Sequence, residues 1–125
     1  MKNKSILVID DEKVLNDAYV HVLKSAGFEA WGVLTAQEGL DALIQNSPAA
    51  ILLDLNMPDI SGISFLEKAE LAINHPDTKV IVFSTVEDNE IIQSAYKLGA
   101  NKYVLKQMLS PFDLETIVNE ELGVS

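Results

Sequence analysis

Strand-sized apolar runs alternate along this chain with segments of helical period, and each of four runs ends in a side chain able to do chemistry. Ser5-Ile6-Leu7-Val8-Ile9 leads into Asp10-Asp11-Glu12, and Ala49-Ala50-Ile51-Leu52-Leu53 leads into Asp54. Lys79-Val80-Ile81-Val82-Phe83 leads into Ser84-Thr85, and Tyr103-Val104-Leu105 leads into Lys106. Such alternation is the pattern of repeated βα units on a parallel sheet. If the strands are parallel neighbours, two acids, a hydroxyl and an amine converge on one sheet edge, where open α/β sheets carry their sites. Asp54, followed by the Pro/Gly/Asp-rich stretch Asn56-Met57-Pro58-Asp59-Ile60-Ser61-Gly62, is the first suspect for a nucleophile or metal ligand.

The periodicity assigns the connecting helices. Val14, Leu15, Ala18, Val22 and Leu23 fall at helical spacing before a stop at Gly27. Phe28 to Val33 reads as a strand of mixed character. Thr35 with Glu38 forms a capping-box signature for a helix whose Leu40, Leu43 and Ile44 are expected to face the core. Ile63, Leu66, Ala69 and Ala72 or Ile73 mark a third helix, and Ile91, Ile92, Ala95 and Leu98 a fourth. Leu114, Ile117 and Val118 mark the last. Five βα units are the count of a flavodoxin-like doubly wound sheet.

Length and charge bound the function. At 125 residues, residues 1–125 are expected to form a single domain with no output domain. No apolar stretch is long enough to span a membrane and no N-terminal signal is visible, so the expectation is a cytoplasmic protein. The net charge is −10, with nine lysines and no arginine. Gripping nucleic acid needs clustered basic residues, so direct nucleic-acid binding is not expected. A basic protein surface is the better match, although acidity also simply keeps a small protein soluble.

Three carboxylates, Asp10, Asp11 and Asp54, at one sheet edge would repel one another, and such a cluster either raises a pKa or attracts a cation. Oxygen ligands with room for water suit Mg²⁺. An ionised aspartate can act as a nucleophile towards phosphorus, while Lys106 and the Ser84 hydroxyl would stabilise charge on phosphoryl oxygens.

Together, the acidic pair, the Leu-Asp-Leu-Asn-Met-Pro-Asp-Ile-Ser-Gly segment around Asp54, Ser84, the Gly99-Ala100 turn and the Tyr103-Val104-Leu105-Lys106 ending resemble the receiver domain of two-component response regulators, from Lys4 to about Leu122. The resemblance implies a five-stranded parallel sheet of order 2-1-3-4-5 with five helices. It implies that Asp54 accepts a phosphoryl group from a histidine kinase or histidine phosphotransfer protein. Asp11 and Asp54 would hold Mg²⁺, with the Asn56 backbone carbonyl and with Asp10 directly or through water. Ser84 and Lys106 would sense the phosphoryl group, and Tyr103 stands where the family keeps a switch aromatic. The changing face would be the helix near Glu87 to Leu98, the last strand and the last helix, meeting an unknown protein target or forming a dimer on phosphorylation. The resemblance further implies a signalling domain rather than an enzyme, limited to self-catalysed phosphorylation and slow dephosphorylation. Two departures stand out: Gln107 follows Lys106 where the family usually has proline, and Met108-Leu109 push the Ser110-Pro111 helix start one residue further on.

Two other readings share parts of this chemistry. A haloacid-dehalogenase-type phosphatase also uses an aspartate, a hydroxyl and a lysine, but places a second acid where this chain has Asn56. A phosphorylation-independent interaction module would be expected to have lost Asp54, Lys106 or the acidic pair.

Overall fold

The computed structural model describes residues 4–124. Five strands, β1 (Ser5–Ile9), β2 (Glu29–Val33), β3 (Ala50–Asp54), β4 (Lys79–Ser84) and β5 (Lys102–Leu105), form one parallel sheet in the order β2-β1-β3-β4-β5. The expected order is therefore the observed one. Helices α1 (Lys13–Ser25) and α6 (Pro111–Leu122) cover one face; α2 (Ala36–Gln45), α3 (Gly62–Ala69) and α5 (Asn89–Lys97) cover the other. Leu7, Ile9, Ile51, Leu53, Val80 and Val82 point to the second face, and Ile6, Val8, Leu52, Ile81 and Phe83 to the first. Every residue of β3 is buried, because this central strand has helices on both sides; that is why it reads as an unbroken apolar run.

The third expected helix is present in two pieces. Glu70 adopts a left-handed conformation, φ 46°, and separates α3 from a single turn, α4 (Leu71–Asn74). The break re-aims the chain, so Leu71 continues the buried stripe while Ala72 and Ile73 face solvent, contrary to the helical spacing. Two further expectations are corrected. In α1 the buried residues are Asn16, Tyr19 and Leu23, with Leu15 and Val22 partly buried; Val14 and Ala18 lie outside. In α2, Ile44 is exposed because the helix meets the sheet through Ala36, Gly39 and Leu43. The final helix behaves as its spacing implies, with Leu114 and Val118 fully buried and Ser110 and Asp113 closing a capping box at its start.

Candidate functional site

Parallel pairing fixes which side chains meet at the carboxyl edge. Ile9 lies opposite Leu53, so Asp10 emerges level with Asp54, and Ser84 lies opposite Leu105, one residue before Lys106. Beyond Asp54 the chain turns back sharply: the Gly62 N–H donates to the Leu55 carbonyl at 2.9 Å, and a Cβ on Gly62 would come within 2.7 Å of the Leu55 Cα. Only glycine fits this closure.

Asp10 and Asp54 are buried and Asp11 is exposed, and one carboxylate oxygen from each lies within 4.8 Å of the others. Lys106 Nζ sits among these acids, 2.9 Å from Asp10 Oδ2, 3.2 Å from Asp54 Oδ2 and 3.7 Å from Glu12 Oε1. The Asp54 Oδ1 accepts the Asn56 N–H at 3.1 Å, and Asp10 Oδ1 accepts the Glu12 N–H at 2.9 Å. Burial pushes the Asp54 carboxyl above the ordinary aspartate range, against the pull of the Asn56 N–H and the Lys106 charge, and nearby Asp10 pushes it further up. Burial alone would lower the Lys106 pKa, but the hydrogen bond to Asp10 and the Asp54 and Asp10 charges outweigh it and hold the ammonium above the usual lysine value. Three acids against one amine leave net negative charge with two hard oxygen donors buried and one facing solvent. Such a donor set fits a small, hard, partly hydrated divalent cation such as Mg²⁺.

Ser84 is fully buried and Thr85 exposed, as strand alternation requires. The Ser84 Oγ accepts the Val86 N–H at 3.0 Å, and the Val86 carbonyl accepts the Tyr103 hydroxyl at 2.8 Å. Serine and tyrosine are thus linked through the backbone of one residue. Burial raises the Tyr103 pKa, so its hydroxyl remains a donor at neutral pH. Lys106–Met108 form one 3-10 turn, closed by the Leu109 N–H on the Lys106 carbonyl at 3.2 Å, and no peptide among the described residues is cis.

All seven residues singled out from the sequence, Asp10, Asp11, Asp54, Asn56, Ser84, Tyr103 and Lys106, lie at this edge. Three side chains and one backbone link escaped it. Glu12 approaches Lys106, and the Val86 backbone joins Ser84 to Tyr103. Asp59 reaches across to α2, accepting the Ala36 and Gln37 N–H groups at 3.1 and 2.9 Å. Asn16 donates to the Asp10 carbonyl. The sequence signal for Asp59 was its place in a Pro-Asp turn, which suggests a local bond rather than one to a distant helix. His21 is exposed, and His75 pairs with Ser47 Oγ at 2.9 Å.

Residues 6–119 match the family described as the response regulator receiver domain. Sporulation initiation phosphotransferase F of Bacillus subtilis (strain 168) is 26% identical over 117 residues, which cover 94% of this chain and 90% of that protein. The probable transcriptional regulatory protein TcrX of Mycobacterium tuberculosis is 30% identical over 117 residues, 91% of this chain, and the chain spans 46% of it. A CheY-like response regulator receiver domain protein from Methanospirillum hungatei JF-1 superposes with a TM-score of 0.89 at 30% identity, covering 98% of this chain and 95% of that one. None of the helices among the described residues is long and apolar enough to cross a membrane.

Proposed function

This chain belongs to the response regulator receiver domain family, and from that premise we propose that it is a phosphoacceptor switch of a two-component phosphorelay, with Asp54 as the phosphorylated residue. The observation that carries the reading is the Lys106 ammonium bridging two buried carboxylates at 2.9 and 3.2 Å, with the Asp11 carboxylate alongside. The donor is a histidine kinase or histidine phosphotransfer protein. A carboxylate oxygen of Asp54 attacks phosphorus, the P–N bond of the phosphohistidine breaks, and its electron pair stays on the imidazole, which takes up a proton. Bound at Asp10, Asp11, Asp54 and the Asn56 carbonyl, Mg²⁺ would neutralise the acids and draw in the phosphoryl oxygens.

The chain's own residues supply the rest. Asp54 must be ionised to attack, and the Asn56 N–H and Lys106 favour that form, offsetting part of the cost of its burial. Lys106 then has a second partner, the phosphoryl group, and the Ser84 hydroxyl has another. When the Ser84 Oγ turns to that group, the Val86 N–H loses its acceptor, the 84–86 segment shifts, and with it the carbonyl that holds the Tyr103 hydroxyl. The signal thereby passes from Asp54 to the α5–β5–α6 face. A phosphoryl group moves such an equilibrium only by interacting differently with the two states, and Ser84 and Lys106 are the groups placed to make that difference. The exposed apolar side chains of Val14, Met108 and Phe112, at the starts of α1 and α6 and in the loop after β5, offer a rim on which the donor can dock.

Acetyl phosphate with and without Mg²⁺, followed by intact mass, tests the reading. The expected result is one hydroxylamine-labile phosphoryl group, gained only with Mg²⁺ and absent in Asp54→Asn. A folded parent that gains none, or an Asp54→Asn variant that gains it equally, would overturn the assignment.

A further inference from the structure

Asn16 is a polar side chain on the buried face of α1, 2% exposed, and both of its amide hydrogens are used. Its Nδ2 donates to the Asp10 carbonyl at 2.9 Å and to the Val33 carbonyl at 2.8 Å. Val33 O also accepts the Asp10 N–H, at 3.3 Å. The ends of β1 and β2 and the first turn of α1 therefore meet at one amide. The neighbouring strand leaves room for it: a Cβ on Gly32 would collide with the Asn16 Oδ1.

The Asp10 carbonyl belongs to the peptide joining the two acids of the pair. The Asp10 carboxylate is held independently, by the Glu12 N–H and Lys106. The Asp11 carboxylate is exposed and has no hydrogen-bond or ion-pair partner among the described residues, although it comes within 4.8 Å of the other two acids. Its placement depends on the orientation of the peptide that precedes it. We propose that Asn16 is a positioning residue for the cation site, fixing the Asp10–Asp11 peptide and through it the reach of the Asp11 carboxylate, with Gly32 as the gap that admits it. The proposal rests on the reading of Asp10, Asp11 and Asp54 as a Mg²⁺ site. Partners that orient metal ligands commonly change affinity by about 10–100-fold when removed.

The experiment is a Mg²⁺ titration by calorimetry on the metal-stripped protein, with metal-free urea unfolding measured on the same samples. The set is the parent, Asn16→Leu, Asp11→Ala and the double variant. Asn16→Leu is expected to weaken Mg²⁺ binding about tenfold. In the Asp11→Ala background the same substitution should change affinity less than about twofold, because its effect runs through Asp11. A merely structural asparagine would lower stability equally in both backgrounds and leave no such difference in affinity. Gly32→Ala, which must displace the Asn16 side chain while leaving α1 intact, is expected to reproduce the loss of affinity and reports on the same question where Asn16→Leu does not fold. A parent that binds Mg²⁺ while the folded variants bind it equally well overturns the positioning role alone, as does an Asn16→Leu effect undiminished without Asp11. A parent that binds no Mg²⁺ overturns the cation site and this proposal with it.

Discussion

Replacing Asp54 by Asn should stabilise the metal-free protein at neutral pH, although it removes the residue on which the proposed function depends. At an effective dielectric of about 20, the Asp54 charge gains about 5 kcal/mol from Lys106 at 3.2 Å and loses at least about 3.5 kcal/mol to Asp10 within 4.8 Å. Exposed Asp11, screened by water, adds about 1 kcal/mol of repulsion. These contributions cancel to within about 1 kcal/mol, so what remains is the burial of a carboxylate, several kcal/mol in an apolar surround, set against one charge-assisted bond from the Asn56 N–H worth about 1.5–3 kcal/mol. Asparagine keeps the shape and that bond, but can present its own donor to Lys106, which returns part of the gain. The expected result is about 1–2 kcal/mol of stabilisation at pH 7, or roughly 4–8 °C in Tm, read from urea and thermal unfolding in chelator. The pH dependence follows from the raised carboxyl pKa of Asp54. Its favourable contribution is complete below the unfolded value near 3.9, about where aspartate normally titrates, and is lost as pH rises through the higher folded value. The advantage of Asp54→Asn should therefore grow with pH across that window and vanish below it. Saturating Mg²⁺ should narrow it, since the parent has one more carboxylate with which to bind the ion. A variant less stable than the parent at pH 7 without metal, or an advantage independent of pH, would refute the reasoning.

Tyr103→Phe deletes the hydroxyl that holds the Val86 carbonyl and should cost about 1 kcal/mol in urea unfolding while leaving phosphorylation by acetyl phosphate intact; an unchanged midpoint would mean that the bond does not secure the 84–86 segment. Val86→Glu should shorten the life of the phosphorylated state, followed by intact mass, because an apolar side chain beside Ser84 shields an acyl phosphate from water better than a charged one; an equal or slower loss counts against this. Asp59 is held below the usual carboxylate range by the Gln37 N–H, so its contribution to stability is present above pH ~4 and disappears as pH falls through the lower folded value. The urea midpoints of the parent and Asp59→Ala should accordingly differ at pH 7 and converge in acid, and a gap that persists there would assign the effect to packing. Val14→Glu and Phe112→Glu should slow transfer from a histidine donor without slowing acetyl phosphate, and equal slowing of both would show that the rim acts on the chemistry rather than on docking.

The carboxyl edge was legible because strand and loop differ so sharply in composition there. A short apolar run such as Ala49 to Leu53, ending at a turn-rich segment, reads as a strand buried on both faces, as Ala50 to Leu53 are, and the residue after it lies at the edge. The order of the strands came from the family resemblance, since periodicity says which segments are strands and not which ones pair. Helix faces were read less well where apolarity and burial part company. Val14 falls at the helical spacing of the apolar stripe, yet it lies outside, while Tyr19 packs edge-on against Phe83 with ring centroids 5.6 Å apart. Asn16 carries no sign of its partners in the sequence, and only the tertiary fold shows that Asp10 and Val33 present carbonyls to it. The left-handed Glu70 left no signal at all, because glutamate is not a residue that marks such a turn.

The acidic residues and Lys106 answer one physical problem in two ways. Two buried aspartates need a positive partner, and the lysine at the end of β5 provides it. A divalent ion bound to the same oxygens would supply that charge more strongly and weaken the hold of the carboxylates on the ammonium. Lys106 would then be free to turn to a phosphoryl oxygen while its backbone stays anchored in the turn that precedes α6. On this argument a bound cation would do more than assist transfer: it would release the sensor. Phosphorylated protein stripped of Mg²⁺ should hold Lys106 less firmly on the phosphoryl group than protein in which the ion remains. The ¹⁵N shift of the labelled Lys106 ammonium, followed as chelator is added to the phosphorylated protein, measures this directly, and a resonance indifferent to Mg²⁺ would break the link between the two.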